Sequence, residues 1–467
     1  MTDSAEVLFA VPAVTPPLDP GFRPISLGAR AYRTLVAAAQ AKVPVAIALE
    51  RNDGLRSVIR AEILPPGSEH DAATRLYVER LVKFLLWQRG GWKIVIAGPR
   101  AIGEFIAQTY SPGGARQFDV KLMEQVYEKS FAVETVDFRQ APANHESAVA
   151  LGGHLDGCRI GFDLGASDYK IAAVKEGEAV FTTEIRWDPR GQSDPEWHYR
   201  KINEGLKLAA GYLPRVDAIG GSAAGIYIDN RVMVASLFRG VQPAQFAKKV
   251  KPMFINLRKE WGVPLEVAND GDVTALAGAM SLRENGVLGV AMGSSQAAGF
   301  LDGQGRITGW LNELAFAPID YNPHAAADEW SGDIGCGVQC FSQQAVVRLA
   351  PLADIAPPAG HPAEQLKFVQ DLQEKGDPRP ARIFETIGVY LGYALAHYAQ
   401  MYDVRHVLVL GRVTSGTGGD LIVQKAKEVL GADFPELAQE LSLHLPDEKS
   451  KRVGQAVAAA SLPEIRR

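Results

Sequence analysis

The stretch Arg159-Ile-Gly-Phe-Asp-Leu-Gly-Ala-Ser167 decides how the rest of the chain is interpreted. It is an apolar run that ends in an aspartate, a glycine and a hydroxyl, as a strand leading into a turn would. Strands are also expected over residues 171–174 and 179–182, with a turn at Lys175-Glu-Gly177 between them. The pattern predicts an antiparallel meander whose first turn is polar and contains glycine.

The same pattern returns at Gly289-Val-Ala-Met-Gly-Ser-Ser295, with a return strand predicted over 297–301. Matching residues all lie 128 positions apart: Gly161 and Gly289, Gly165 and Gly293, Ser167 and Ser295, Gly177 and Gly305. A strand that leads into a loop of small residues also occurs twice, at 215–225 and 405–416. Such self-similarity indicates a duplicated domain. The predicted fold class is α/β, with two repeated lobes.

The bulk composition is that of a globular protein without a polyanionic partner. The chain has 467 residues, of which 47% are apolar and 22% charged, and its formal net charge is -5. No apolar run approaches the roughly 20 residues that span a bilayer, and the start Met1-Thr-Asp-Ser-Ala-Glu6 lacks the basic region of a secretory signal. Three cysteines do not make a disulfide framework. We expect a cytoplasmic protein that binds neither nucleic acid nor membrane.

The first 150 residues are predicted to fold as an α/β region. Helices are expected at 31–39, 76–88 and 101–109, and strands at 43–49 and 92–97. A polar stretch at Gln140-Ala-Pro-Ala-Asn-His-Glu146 marks a boundary. We therefore predict an N-terminal region of unassigned role over 1–150, a first lobe over 155–275 and a second lobe over 276–467.

The two glycine-containing turns are candidates for binding the phosphates of ATP. Glycine lets the backbone approach a phosphate, N–H groups point at it, and a hydroxyl adds a hydrogen bond. Each turn alone is better explained as an ordinary hairpin, but their shared spacing favours function. No G-x-x-x-x-G-K-[ST] or G-x-G-x-x-G pattern occurs, which excludes a P-loop and gives a dinucleotide site no support. The predicted phosphate-binding residues are Gly165, Ser167, Lys170, Gly293, Ser294 and Ser295.

Two further elements complete a predicted nucleotide site. Asp163 is expected at the tip of the first strand, where a carboxylate can hold Mg²⁺ directly or through water. The small-residue loop 411–419, before a helix predicted over 420–430, leaves room for a flat nucleoside. The alternative for this loop is a plain strand-to-helix connection. Its predicted nucleoside-binding residues are Gly411, Thr414, Ser415 and Gly416.

The stretch Val267-Ala-Asn-Asp-Gly-Asp272 supports two interpretations. In the first, Asn-Asp-Gly is a turn and Asp272 is the N-cap of a helix over 273–280. In the second, Asp270 is a general base that takes the proton of a sugar hydroxyl during phosphoryl transfer. Asn269 beside it can offer the sugar both a donor and an acceptor.

These motifs, taken in chain order, resemble those of the actin-like kinases. The segments 216–234, 264–280 and 406–430 resemble the ROK family in particular, and the resemblance covers roughly residues 157–462. It implies two ribonuclease-H-like lobes with a cleft that closes on ATP and a sugar, and it implies a homodimer. By the same resemblance Asp270 is the catalytic base, and Asn269, Asp270 and Glu313 bind the sugar. Glu313 matches the glutamate of the family's Gly-Glu-x-Gly-His stretch.

The chain departs from the ROK pattern in that same stretch, which here is Asn312-Glu-Leu-Ala-Phe316. The histidine that serves both sugar and zinc in the family is replaced by Phe316. A trailing glutamate that binds sugar in the family is Ser342 or Gln343 here. The identity of the substrate is therefore left open.

The family's cysteine cluster is reduced to Cys336 and Cys340. Two cysteines cannot complete a tetrahedral site alone, although His324 and Asp333 are close enough in sequence to add ligands. We favour two buried thiols and expect no stoichiometric zinc.

The sequence favours an ATP-dependent kinase of a sugar or sugar derivative that uses Mg²⁺. Retention of Asp163, Asn269, Asp270 and Glu313 supports the enzyme. The alternative is a nucleotide- or sugar-binding regulator on the same fold without turnover. Loss of the histidine and the glutamate favours either this regulator or a kinase for an unusual sugar. The N-terminal region has no convincing helix-turn-helix, so the DNA-binding regulators of the family are a poor match.

Overall fold

The N-terminal segment folds around a mixed sheet in the computed structural model, which describes residues 5–146, 151–165, 168–446 and 448–465. Its helices and strands, in chain order, are α1 (Ile25–Ala38), β1 (Val43–Glu50), β2 (Arg56–Ile63), α2 (Asp71–Arg89), β3 (Lys93–Ala97), α3 (Arg100–Thr109), α4 (Gln117–Tyr127) and β4 (Ala132–Val136). The strand order is β2-β1-β3-β4, with β1 antiparallel to both neighbours and β3 parallel to β4. The predicted α/β character of this segment is confirmed.

The middle segment contains the predicted meander. Its elements are β5 (Cys158–Leu164), β6 (Asp168–Lys175), β7 (Glu178–Arg186), α5 (Pro195–Ala210), β8 (Ala218–Ala223), β9 (Ile226–Ile228), β10 (Arg231–Val234), α6 (Pro243–Gln245), α7 (Met253–Trp261), β11 (Leu265–Asn269) and α8 (Asp270–Leu282). Strands β5, β6 and β7 are consecutive antiparallel neighbours, and β8 and β11 add to β5 in parallel, which gives the order β11-β8-β5-β6-β7.

The C-terminal segment repeats this plan incompletely. Its elements are β12 (Val287–Met292), β13 (Gln296–Leu301), α9 (Gln343–Leu349), α10 (Pro362–Glu374), α11 (Arg379–Tyr398), β14 (His406–Leu410), α12 (Thr417–Asp433), α13 (Pro435–Glu440), β15 (Ser442–His444) and α14 (Glu448–Ala460). The strand order β13-β12-β14-β15 has no counterpart of β7. A single bridge between Leu301 and Ile307 stands in its place, because the Asp302 carboxylate accepts from the N–H groups of Gln304 and Arg306 and closes a tight turn.

The chain divides into two compact units that do not follow the three predicted segments. Unit 1 comprises Met1–Ser147, Val290–Ala298 and Trp310–Leu445. Unit 2 comprises Ala148–Gly289, Gly299–Gly309 and Pro446–Arg467. The N-terminal segment is thus part of a unit whose other half is C-terminal. The division into 1–150, 155–275 and 276–467 stays a prediction.

Helix α14 returns to unit 2 and packs on its sheet. A Cβ atom on Gly161 of β5 or Gly220 of β8 would overlap the carbonyl oxygens of Ala456 and Ala459. The two glycines therefore let a helix backbone lie directly against the strands. Ala456 and Ala460 are buried against β6.

The long helices α2 and α11 are buried along most of their length within unit 1. Residues 77–89 of α2 are all buried, including charged side chains. Among the residues described, no helix has both the length and the apolar character needed to cross a membrane.

Candidate functional site

Asp163 lies near the end of β5, between two strands that each present a polar side chain to it. The strand register places Lys170 of β6 on one side and Ser222 of β8 on the other. The Ser222 hydroxyl donates to Oδ1 at 2.7 Å, and Lys170 Nζ lies 3.4 Å from Oδ2. Burial raises the pKa of Asp163, although the charge of Lys170 and the Ser222 hydrogen bond oppose that shift. The result is a buried carboxylate with one oxygen fixed and the other facing a loosely held cation.

Asp270 follows β11 directly and is the first residue of α8. The Asn269 side chain accepts a hydrogen bond from the Gly271 N–H at 2.7 Å and is the N-cap of the helix. The prediction that Asn-Asp-Gly is a turn and Asp272 the N-cap is therefore wrong. Asparagine is among the best N-caps, and two aspartates in the first turn complement the positive end of the helix dipole, so the helix begins earlier than predicted.

The Asp270 carboxyl group is half-buried and has a neighbouring negative charge. Burial, and secondarily the charge of Asp163, raise its pKa to about 6, while the Gly271 N–H, 3.1 Å from Oδ1, works in the other direction. A carboxylate with such a pKa is ionised at neutral pH and still basic enough to take up a proton.

Both polar atoms of the Asn269 side-chain amide form hydrogen bonds within the protein. Its oxygen caps α8, and its nitrogen donates to the Gly225 carbonyl at 2.7 Å. The amide keeps one N–H and one oxygen lone pair beyond these bonds. The predicted role in sugar binding stays a prediction, and the structural role was not foreseen.

Two residues of this constellation were missed in the sequence. Gln455 of α14 donates from Nε2 to the Ser222 hydroxyl at 3.0 Å and to the Asp270 carbonyl at 3.2 Å. Ser222 has the one hydroxyl in a strand otherwise made of alanine, isoleucine and glycine, which is a signal that could have been used. Gln455 has no local signal, because its position depends on how α14 packs.

Two hydrogen bonds hold Gly165 in the first predicted phosphate-binding turn. The Gly165 N–H donates to the Asp168 carbonyl at 3.0 Å, and the Trp187 indole N–H donates to the Gly165 carbonyl at 2.9 Å. Lys170 follows on β6, with its amine toward Asp163. Ser167 lies outside the described residues. Asp163, Gly165, Lys170, Asn269 and Asp270 all belong to unit 2.

The second predicted turn lies in unit 1, between β12 and β13. The Gly293 N–H donates to the Ser295 carbonyl at 2.9 Å, and the Gly293 carbonyl accepts from the Gln343 N–H at the start of α9. Ser294 and Ser295 are both exposed. Their hydroxyls are therefore accessible to a ligand.

The loop 411–416 lies against this second turn. Gly411 adopts φ 105°, and a Cβ atom on it would overlap the carbonyl of Met292, the last residue of β12. Only glycine permits both the backbone angle and the close approach. The structure thus brings together two of the predicted elements, the turn 293–295 and the loop that begins at Gly411.

Helix α12 after this loop begins at Thr417, earlier than the predicted residue 420. Gly416 is its N-cap with φ 67°. The loop therefore ends at Gly416, whereas it was predicted to extend to residue 419. The Thr414 hydroxyl is buried and donates to the Gly411 carbonyl at 2.9 Å, which holds the loop together. Ser415 is half-buried, and Gly416 is exposed at the open end of the helix.

Glu313 is half-buried in unit 1 and is anchored to α2. Its N–H donates to the Trp87 carbonyl at 3.0 Å, and the Asn312 N–H donates to the Gln88 carbonyl at 3.0 Å. The Phe316 ring lies 4.3 Å from the Trp87 ring. At the position of the histidine in the family that the sequence resembles, this chain has Phe316, which packs against Trp87.

The two cysteines considered for zinc are buried thiols. Burial raises the pKa of Cys336 to about 12, so it is protonated at neutral pH. Asp333, a suggested extra ligand, is paired with three cations, and His324 is exposed. Within the described ranges, no three His, Cys, Asp or Glu side chains are grouped so that they could hold a metal ion. The expectation of no stoichiometric zinc stays a prediction.

Comparison with known proteins gives matches by structure alone. No protein-family model and no curated protein matches the sequence. A ROK family glucokinase from Streptomyces griseus, solved with glucose and AMPPNP, matches with a TM-score of 0.51 and 21% identity, covering 65% of this chain and 99% of its own. The ROK hexokinase from Thermus thermophilus matches with a TM-score of 0.51 and 18% identity, over 65% and 97% of the two chains.

A ROK family transcriptional regulator, a homologue of the E. coli MLC protein, matches similarly, with a TM-score of 0.50 and 19% identity over 66% of this chain and 78% of its own. At identities this low, the structural matches establish the fold and do not establish the activity. Over about 65% of its length, this chain has the actin-like ATPase fold of the ROK family structures.

Proposed function

We propose that the protein is an ATP-dependent kinase that phosphorylates a hydroxyl of a sugar or sugar derivative. The observation that supports this most strongly is the pair of acids Asp163 and Asp270 in unit 2, with the pKa of Asp270 raised to about 6. A general base works best when its pKa is close to the operating pH.

Asp270 takes the proton of the attacking sugar hydroxyl. The Gly271 N–H bound to Oδ1 and the asparagine-capped helix fix the carboxylate at the end of β11. Phosphoryl transfer needs little covalent chemistry from a protein, so positioning the hydroxyl and removing its proton are the main contributions.

Asp163 is the residue that would hold Mg²⁺. It suits a hard divalent cation because it is a buried carboxylate with one oxygen bound by Ser222 and the other 3.4 Å from Lys170, which can turn to a phosphate instead. When bound, Mg²⁺ neutralises charge on the phosphates of ATP.

The nucleotide is bound by glycine-rich backbone and hydroxyls rather than by a lysine-containing P-loop. Within unit 2, Gly165 and Lys170 are the proposed phosphate-binding residues. Within unit 1, the proposed ones are Gly293, Ser294 and Ser295. The loop 411–416 receives the nucleoside, with the Ser415 hydroxyl and the open helix end at Gly416 as its polar groups.

A regulator that binds nucleotide or sugar without turnover is the second candidate. It is favoured by one observation, namely that the amide of Asn269 already binds Gly225 and Gly271 and so has less to offer a sugar. The presence of a transcriptional regulator among the proteins of similar fold agrees with it.

ATP consumption with Mg²⁺ against a panel of hexoses, amino sugars and sugar acids tests the proposal. We expect sugar-dependent ADP release for at least one member, together with a phosphorylated product seen by mass spectrometry. Sugar binding by calorimetry without ADP release for any sugar would support the regulator and contradict the kinase.

A further inference from the structure

A group of charged side chains, three of them on helix α2, is buried inside unit 1. Six residues form the cluster, with three positive and three negative charges: Glu79, Arg80, Lys83, Arg116, Asp119 and Asp333. Lys83 is fully buried. Buried charges are tolerated only when they are closely paired, and such pairs require a fixed geometry.

Asp333 is the centre of this cluster and its one member from outside the N-terminal segment. Lys83 Nζ lies 2.6 Å and Arg80 Nη1 2.9 Å from its Oδ2, and Arg116 Nη1 lies 2.7 Å from its Oδ1. Burial would raise the pKa of Asp333, but Arg80 and Lys83 reverse this and lower it. Asp333 is therefore held as a carboxylate by cations that all come from residues 79–116.

The segment that follows Asp333 is bonded to the segment that follows Glu313. The Ile319 N–H donates to the Gly335 carbonyl at 2.9 Å, and the Gly337 N–H donates to the Ala317 carbonyl at 3.0 Å. A bridge joins Pro318 to Cys336. Any displacement of Asp333 is therefore transmitted to the short stretch that carries Glu313.

The same helix holds Glu313 from its other end. Its last carbonyls, of Trp87 and Gln88, accept from the N–H groups of Glu313 and Asn312. The Trp87 ring packs on Phe316, 4.3 Å away, and Phe118 lies 5.4 Å from Phe316. Residues 312–337, called here the Glu313 loop, are thus attached to α2 at both ends.

We infer that the N-terminal segment positions the Glu313 loop through α2, and that Lys83, Asp333 and Trp87 are positioning residues for the sugar site. The sugar part of this inference rests on the proposed kinase function and on the sugar-binding role that the resemblance implies for Glu313, whereas the attachment of the loop to α2 rests on neither. The segment 1–150 is therefore a support for substrate binding rather than a separate module.

The test combines hydrogen exchange with steady-state kinetics on two variants of the full chain. Lys83→Met leaves Asp333 and Asp119 short of a cation, and Trp87→Leu removes the aromatic stack while keeping an apolar side chain. If Lys83→Met fails to fold, Trp87→Leu decides the test. Arg75→Met is the matched control, because it removes a cation from the same helix in a half-exposed pair with Asp71.

We expect amide exchange in peptides covering 312–337 to accelerate at least about tenfold in both variants, with peptides covering 417–433 unchanged. The KM for sugar should rise about tenfold while the KM for ATP stays within about twofold, a split that general destabilisation would not give. Arg75→Met should change neither quantity.

Unchanged exchange across 312–337 in a folded variant would overturn the inference. So would accelerated exchange with an unchanged KM for sugar, because the loop would then be supported without mattering to the substrate. If the wild-type protein phosphorylates no sugar, the proposed function fails, and the exchange measurement still decides whether α2 holds the loop.

Discussion

The two hairpins related by the internal repeat share a backbone plan and differ in chemistry. In unit 2, Asp163 and Lys170 face each other across β5 and β6. At the same offset of 128 residues, the hairpin of unit 1 has Ala291 and Ala298. Its hydroxyl groups, on Ser294 and Ser295, are exposed in the turn. The two copies of the fold thus share the glycines that the backbone requires, whereas the charged residues occur in one copy only.

The largest effect should come from substituting Asp270 in unit 2, the unit that contains the charged hairpin. Asp270→Asn removes the general base but keeps the side-chain shape, so the kcat for sugar phosphorylation should fall about 10²–10⁴-fold. ATP and sugar affinities, measured by calorimetry, should stay close to those of the wild-type protein. Near-normal turnover in this variant would contradict the mechanism. Asp302→Asn, which changes an acid that closes a turn in the same unit, is the control and should leave kcat unchanged.

The charged hairpin itself is tested by Asp163→Asn. If Asp163 holds Mg²⁺ as proposed, its loss should weaken binding of Mg·ATP roughly ten- to a hundredfold, with nucleotide binding in EDTA changed little. Because the charge of Asp163 raises the pKa of Asp270, the variant should also lower that pKa. Equal losses with and without Mg²⁺ would show that Asp163 acts on folding rather than on the metal.

The pH dependence of kcat/KM reports the same pair of acids. Asp270 must be ionised to accept a proton, and its pKa in the folded protein is about 6. Activity should therefore be constant above that pH and fall about tenfold per unit below it. A profile that stays flat down to pH 4.5, in protein shown by circular dichroism to be folded, would contradict this assignment.

The uncharged hairpin should respond least. Ser294→Ala and Ser295→Ala each remove one hydroxyl, worth about 0.5–1.5 kcal/mol, so the KM for ATP should rise only about two- to tenfold with kcat little changed. The proposed phosphate contact also uses backbone N–H groups, which these substitutions leave intact. A loss of turnover comparable to that of Asp270→Asn would mean that the two hairpins are more alike in function than in charge.

The sequence was informative where a signal is local. The apolar run of β5, the glycine turn and the strand β6 follow from residues within a few positions of each other, and the observed bounds Cys158–Leu164 and Asp168–Lys175 contain the predicted strands. Asp163, Asp270 and the loop at Gly411 were proposed as site elements from the same kind of local signal, and their roles stay predictions. The N-cap at Asn269 was misjudged because aspartate and asparagine cap helices almost equally well.

Long-range packing was not predictable from such patterns. Nothing near Gln455 indicates that it binds Ser222, and nothing in α2 indicates that Lys83 pairs with Asp333, 250 residues later in the chain. The repeat also did not indicate that the second copy lacks a counterpart of β7, where the Asp302 turn is followed by a single bridge. These contacts are set by tertiary structure, which overrides local propensity.

The return of α14 to the sheet of unit 2 has a consequence during synthesis. Gln455 and Ser222 are separated by 233 residues, so a ribosome adding about 5–20 residues per second completes this contact on the order of tens of seconds after Ser222 is made. Until then the glycine-bearing surface of β5 and β8 has no helix against it. For that interval the face of the sheet that contains Gly161 and Gly220 lacks its helix in a nascent chain, and this face is exposed to chaperones and to misfolding.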